Sequence, residues 1–143
     1  MTPIRGLRFG HVAFHVRDLD ACMQWYAAAF GARELFRAFN EDGSVLLVYA
    51  EFAPGQLIEF YPDGVNKVDQ PAQPIGYAHT CLVVDDMRAT LEHLATLGVT
   101  PTAPPRTGRA GQILAFIFDP EGNQIELQEI PAGSVLDRLK SAL

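Results

Sequence analysis

Long apolar runs are missing from this chain, and no stretch approaches the roughly 20 residues that a helix needs to span a bilayer. The opening segment, Met1 to Gly10, carries two arginines but no apolar core, so it does not read as a signal peptide. Cysteine is scarce. Cys22 and Cys81 stand far apart and in no metal-binding or redox spacing, which excludes a disulfide framework and predicts two reduced, buried thiols in a cytoplasmic protein. Basic residues are also few: 11 Lys and Arg against 17 Asp and Glu give a net charge of −6. General binding to nucleic acid or to an anionic membrane needs a basic surface, so neither is an expected partner. A small anionic substrate stays compatible, because a few local cations would hold one.

What the chain does have is ordinary globular material. At 143 residues, 48% hydrophobic and 20% charged, it suits one compact domain over residues 1–143 with a sizeable core. It also repeats itself. His11-Val-Ala-Phe-His-Val-Arg-Asp-Leu-Asp20 parallels His79-Thr-Cys-Leu-Val-Val-Asp-Asp-Met-Arg88: each starts on His, runs through a strand-like stretch and ends in acidic residues that open a helix. Apolar stripes follow at helical spacing, Leu19, Met23, Tyr26 and Phe30 in the first half, Met87, Leu91, Leu94 and Leu97 in the second. Asp18 and Asp85 are the expected N-caps, with Gly31 and Gly98 as the stops.

Strands are expected at 45–52 and 56–61 around the turn Ala53-Pro54-Gly55, and at 113–118 and 124–128 around Asp119-Pro120-Glu121-Gly122. His11 to His79 is 68 positions and Glu59 to Glu126 is 67, so two landmarks agree to within one residue. The expected organisation is a β-α-β-β-β repeat over about 7–62, a polar linker with two prolines over about 63–76, and a second repeat over about 77–130. A C-terminal tail, 131–143, contains a short helix with Ser134 and Asp137 spaced as a capping pair.

Each repeat thus offers one His at a strand start and one Glu in its last strand. Two imidazoles and two carboxylates form a sound ligand set for a divalent first-row metal. In both strands the Glu is flanked by apolar residues, Ile58 and Phe60 or Ile125 and Leu127, so alternation sends it to the opposite face. A lone strand-start His or strand Glu is ordinarily a surface or satisfied residue. Both types at matching places in both repeats point to a metal site of His11, Glu59, His79 and Glu126.

These residues, with Trp25-Tyr26, Phe30-Gly31, Ile58-Glu59-Phe60, Gly76-Tyr77-Ala78-His79 and Ala115-Phe116-Ile117-Phe118-Asp119-Pro120-Glu121-Gly122-Asn123 running to Ile125-Glu126-Leu127, resemble the vicinal oxygen chelate superfamily. Glyoxalase I, bleomycin resistance proteins and extradiol dioxygenases belong to it, and the resemblance is nearest to glyoxalase I-like members. It covers about Phe9 to Ile130. It implies an α+β fold in which two βαβββ repeats form a curved mixed sheet around a metal cleft. The ligand positions of glyoxalase I fall on His11, Glu59, His79 and Glu126, with nickel, cobalt or zinc as the usual metal and iron or manganese as further options. The implied function is a metal-dependent lyase or isomerase that stabilises the enediolate of a small α-hydroxycarbonyl or thiohemiacetal substrate. Glu126 is the implied base and Glu59 the second choice. A homodimer is the favoured assembly by this resemblance, with His11 and Glu59 of one chain meeting His79 and Glu126 of the other; a monomer that closes the cleft within one chain is the alternative known in this fold.

Three positions depart from the glutathione-binding pattern of glyoxalase I: His15 replaces an Arg, Asp63 an Asn, and Ile75 an Arg found in some members. Four residues on from His11 in a strand, His15 faces the same way and can reach substrate. Arg37, Arg106 and Arg109, read as loop residues, are candidates for a different anion clamp. Cys81, two residues after His79, is a pocket-lining candidate but reads first as a packed small core residue, His93 reads as an exposed helix residue, and Trp25, Tyr49, Phe52 and Phe116 read as core before substrate contacts. Within the same superfamily the rival functions are an extradiol dioxygenase, in which Glu59 would occupy a position normally left open, and an acyl-CoA epimerase. A metal-free protein that sequesters an antibiotic is the non-enzyme alternative.

Overall fold

The computed structural model describes residues 10–65 and 77–141, with side chains as far as Arg138. The start of the first expected repeat, the linker from 66 to 76 (Ile75 included) and the last two residues lie outside the described residues. The chain divides into two compact units, Met1–Asn66 and Lys67–Leu143.

The first unit contains β1 (His11–His15), α1 (Leu19–Phe30), β2 (Arg33–Phe39), β3 (Val45–Ala53) and β4 (Gln56–Tyr61). Its sheet has the order β1-β4-β3-β2, with β1 parallel to β4 and the other pairs antiparallel. A parallel pair needs a crossover, and α1 begins it. One sheet face carries Phe14, Val16, Val48, Ala50, Ile58 and Phe60, all buried. Against it α1 turns Leu19, Cys22, Met23, Tyr26 and Ala29, and the Tyr26 ring meets Phe60 at 5.2 Å between centroids. Asp18 caps the helix, accepting from Ala21 N at 2.9 Å, and Gly31 ends it in the left-handed region at φ 69°.

The second unit repeats the plan with β5 (Thr80–Val83), α2 (Met87–Thr96), β6 (Arg106–Thr107), β7 (Ile113–Phe118) and β8 (Gln124–Glu129), followed by α3 (Val135–Ser141). The order β5-β8-β7-β6 again has one parallel pair, β5 with β8. Leu94, Ile117, Ile125 and Leu127 form its fully buried centre. The expected α+β class with two βαβββ repeats is therefore what the chain forms. Among the described residues no helix is long and apolar enough to cross a membrane.

Some local expectations change. Asp86, not Asp85, caps α2: its Oδ1 accepts from Ala89 N at 2.8 Å, while Glu129 Oε2 accepts from Met87 N at 2.7 Å and ties the first turn to β8. The apolar stripe of α2 is only partly covered, with Met87 and Leu94 buried but Leu97 40% exposed. Cys81 is exposed rather than packed, because β5 turns it to the face away from α2, while Cys22 is buried as expected. In the tail, Ser134 Oγ accepts from Asp137 N at 3.1 Å and Asp137 Oδ2 accepts from Gly133 N at 2.9 Å, so the capping pair closes as its spacing predicts. Asp86→Ala is expected to destabilise the protein by about 1 kcal/mol through loss of the cap. Asp85→Ala should stay within about 0.5 kcal/mol, as for a surface position without such a bond. Urea midpoints of the two variants measure the difference, and equal shifts would place the cap wrongly.

Candidate metal centre

The face of each sheet turned away from its helix carries the candidate ligands. In the first unit His11 Nε2 stands 3.3 Å from Glu59 Oε2; in the second, His79 Nε2 stands 2.8 Å from Glu126 Oε2. The carboxylates are the buried members, with side chains 8% and 10% exposed, whereas the imidazoles are 38% and 34% exposed. Among the described residues the buried charged side chains are Glu59, Asp119 and Glu126. Asp119 is accounted for by its turn, since its oxygens accept from Glu121 N, Asn123 N and Asn123 Nδ2 at 2.8–2.9 Å. That leaves the two glutamates, whose burial brings a desolvation cost that a counter-charge or a good hydrogen-bonding shell must offset.

An aromatic ring backs each pair. Tyr49 lies directly opposite Glu59 in the β3–β4 ladder, and its ring meets that of His11 edge-on, with centroids 5.4 Å apart at 77°. Phe116 lies opposite Glu126 and meets His79 in the same way, at 5.5 Å and 75°. These rings turn the imidazoles toward the carboxylates. They read as core from composition alone, yet both are half-buried walls of the site. Their places opposite the glutamates come from the ladder register, which in the first hairpin includes a shift between Glu51 and Ala53 that the turn residues do not announce.

The donors suit a metal in both chemistry and spacing. Ligand atoms about 2.0–2.2 Å from one ion sit about 2.9 Å apart at a right angle and about 3.4 Å apart at a tetrahedral angle. The observed 2.8 and 3.3 Å match that range. Each unit supplies two such atoms, and among the described residues no group of three or more His, Cys, Asp or Glu side chains comes together.

The remainder of the shell differs between the units. Tyr61 follows Glu59 by two residues on the same face, and its ring lies 5.3 Å from that of His15, its partner in the β1–β4 ladder. A hydrogen bond to Glu59, with burial and the carboxylate's charge, holds the Tyr49 hydroxyl proton above the ordinary phenol range. For Tyr61, burial comes first, then the Glu59 charge and hydrogen bond, in the same direction. In the second unit Gln128 takes the place of Tyr61 and donates from Nε2 to Glu126 Oε1 at 2.9 Å. Val83 stands where His15 does, and Phe116 has no hydroxyl.

The other candidates divide by face. His15 shares the face of His11 and Glu59 and is exposed. Arg37 is a strand residue, in β2, and pairs in the ladder with fully buried Val48 on the helix-covered face, away from Glu59. Its guanidinium bonds Glu34 at 2.8 Å and Asp20 of α1 at 3.0 Å, which holds it firmly protonated. Arg106, also a strand residue, lies opposite Leu114, itself opposite Gln128, and so on the face of Glu126. Arg109 is exposed in the turn between β6 and β7. Asp63 is exposed at a left-handed φ of 62°.

Comparison with known proteins identifies the family. A sequence model of the glyoxalase/bleomycin resistance protein/dioxygenase superfamily matches residues 8–127. A lactoylglutathione lyase of Haemophilus influenzae is 32% identical over 125 residues, covering 83% of this chain and 90% of the relative. A probable lactoylglutathione lyase of Vibrio cholerae is 30% identical, covering 84% of this chain and 88% of the relative. In fold, the chain is similar to the crystal structure of a glyoxalase family protein from Enterococcus faecalis, with a TM-score of 0.74 at 21% identity over 88% of this chain and all of that one. The duplicated βαβββ units and the sequence match over most of the length lead to one conclusion: the chain belongs to the glyoxalase/bleomycin resistance protein/dioxygenase superfamily.

Proposed function

We propose that this protein is a divalent-metal-dependent lyase or isomerase of the glyoxalase I kind, acting on a small α-hydroxycarbonyl or thiohemiacetal. His11 and Glu59 of a first unit and His79 and Glu126 of a second supply the four ligands. The observation that carries the reading is the duplicated His–Glu pair, each with a buried carboxylate oxygen at a spacing suited to neighbouring ligands of one ion. The relatives named as lactoylglutathione lyases support the reaction class. Nickel, cobalt or zinc is the proposed metal, with iron or manganese as further options. A homodimer in which each site draws one pair from either chain is the proposed assembly, in the cytoplasm.

A bound divalent ion would supply Lewis-acid stabilisation of the negative charge that develops on vicinal substrate oxygens. The chain's own residues do the rest. Glu126 takes the proton from the carbon beside the carbonyl and returns it to its neighbour, with Glu59 as the second candidate. The aromatic walls, Tyr49 and Phe116, keep the two imidazoles in place and water away from the carboxylates. His15 and Arg106, on the ligand faces of their units, are the proposed substrate contacts. Arg109 is a weaker candidate because of its turn position, and Arg37 is engaged on the opposite face. The departures at His15 and Asp63 argue for a substrate other than the usual glutathione adduct, since an Asp repels a carboxylate.

A second reading, a metal-free small-molecule binder of the antibiotic-resistance type, draws on one observation: no three donor side chains converge among the described residues. Metal content separates the two. After loading with nickel, cobalt or zinc, elemental analysis is expected to find close to one ion per chain in the native protein and little in Glu126→Ala. Absence of stoichiometric metal under every loading would favour the binder.

A further inference from the structure

The residues two positions beyond the candidate glutamates, Tyr61 and Gln128, match in place, 67 positions apart, and share the face of the carboxylates. Gln128 turns its amide back to the carboxylate with a bond of 2.9 Å to Glu126 Oε1, while Oε2 faces His79 Nε2 at 2.8 Å. The two oxygens of Glu126 therefore have different partners. Beside Glu59 stand Tyr61, two residues on in its own strand, and Tyr49, across the ladder. The position of Tyr49 is filled in the second unit by Phe116, which has no donor.

We infer that Gln128 is a positioning residue of the proposed metal site: its amide holds Oε1 of Glu126 so that Oε2 alone is offered beside His79. This rests on the metal-dependent reading above. The competing account is an ordinary same-face pair of polar residues on a solvated sheet. Burial speaks against it, since Glu126 is only 7% exposed and Gln128 is half-buried, so water cannot readily replace the amide. An unrestrained carboxylate can bind a metal through one oxygen or two, and a donor fixed on one of them removes that choice.

The test uses the cobalt-loaded full-length protein, because the visible bands of cobalt(II) report its coordination. Gln128→Met keeps the length of the side chain and removes the donor. It is expected to weaken cobalt binding about 10- to 100-fold, the usual cost of losing an outer-shell partner. It should also change the visible spectrum and lower kcat with little change in KM. Equal affinity and a superimposable spectrum would overturn the positioning role while leaving the metal site standing. Failure of the native protein to bind cobalt would instead remove the metal reading, and this inference with it. Should Gln128→Met not fold, Gln128→Asn gives an independent result. Its amide is one carbon too short to reach Oε1 of Glu126, so the same loss of affinity and change in the cobalt bands are expected, and native affinity with an unchanged spectrum would overturn the proposal.

Discussion

Glu126→Gln is expected to lower the turnover of the metal-loaded protein by about 10²–10⁴-fold, the range for loss of a positioned acid–base group. Glutamine keeps the shape of the side chain and an oxygen able to face His79, so some metal should be retained where alanine would lose it. What it lacks is the basicity to take a proton from carbon. Glu59→Gln is expected to cost less in turnover and more in metal affinity, because Glu126 is the proposed base and Glu59 in the first place a proposed ligand. The measurement is initial rate against substrate, with the methylglyoxal–glutathione thiohemiacetal beside a small α-hydroxyketone, and with metal content determined on the same samples. A larger fall in turnover for Glu59→Gln would move the base to the first unit. Equal falls, each in proportion to lost metal, would leave both glutamates as ligands only.

Much of this was legible because the chain says it twice. The spacing of 68 from His11 to His79 and 67 from Glu59 to Glu126 located both strand pairs and both turns. The 68-residue offset of the two histidines, which start the same segments, takes Asp18 to Asp86, the observed cap, whereas the 67-residue offset of the glutamates would take it to Asp85. What local pattern could not supply was register. Tyr49 and Phe116 belong to the site only because of what they oppose across a ladder, and by composition they are indistinguishable from core aromatics. The edge strands β2 and β6 were not located for a related reason. An edge strand is half-wet on both faces, and β2 breaks its alternation with a register shift between Glu34 and Phe36, which sets Leu35 and Phe36 side by side. β6 is two residues long beside Pro104 and Pro105. Arg37 shows the cost of reading a strand as a loop, since its place on the helix side comes from its ladder partner Val48.

Phe60→Ala is expected to destabilise the protein by about 3–5 kcal/mol, as for truncation of a fully buried aromatic side chain. Phe60 has no exposed surface, and its ring stacks near Phe14 at 5.9 Å and Tyr26 at 5.2 Å, so removal leaves a cavity between sheet and helix that the strands are too well fixed to close. The neighbouring residue in sequence should behave in the opposite way. Glu59→Gln removes a buried charge without changing volume, and where the carboxylate serves a ligand rather than the core, stability should change by less than about 1 kcal/mol or rise. Urea unfolding of the metal-free proteins measures both. One strand, β4, would then carry a stability residue and a site residue side by side, separated only by the alternation of its faces. A loss in Glu59→Gln as large as that in Phe60→Ala would mean that the carboxylate, with His11 and the two tyrosines, is built into the fold itself. The duplicated His–Glu pairs would then be structural, and their spacing would no longer argue for a metal.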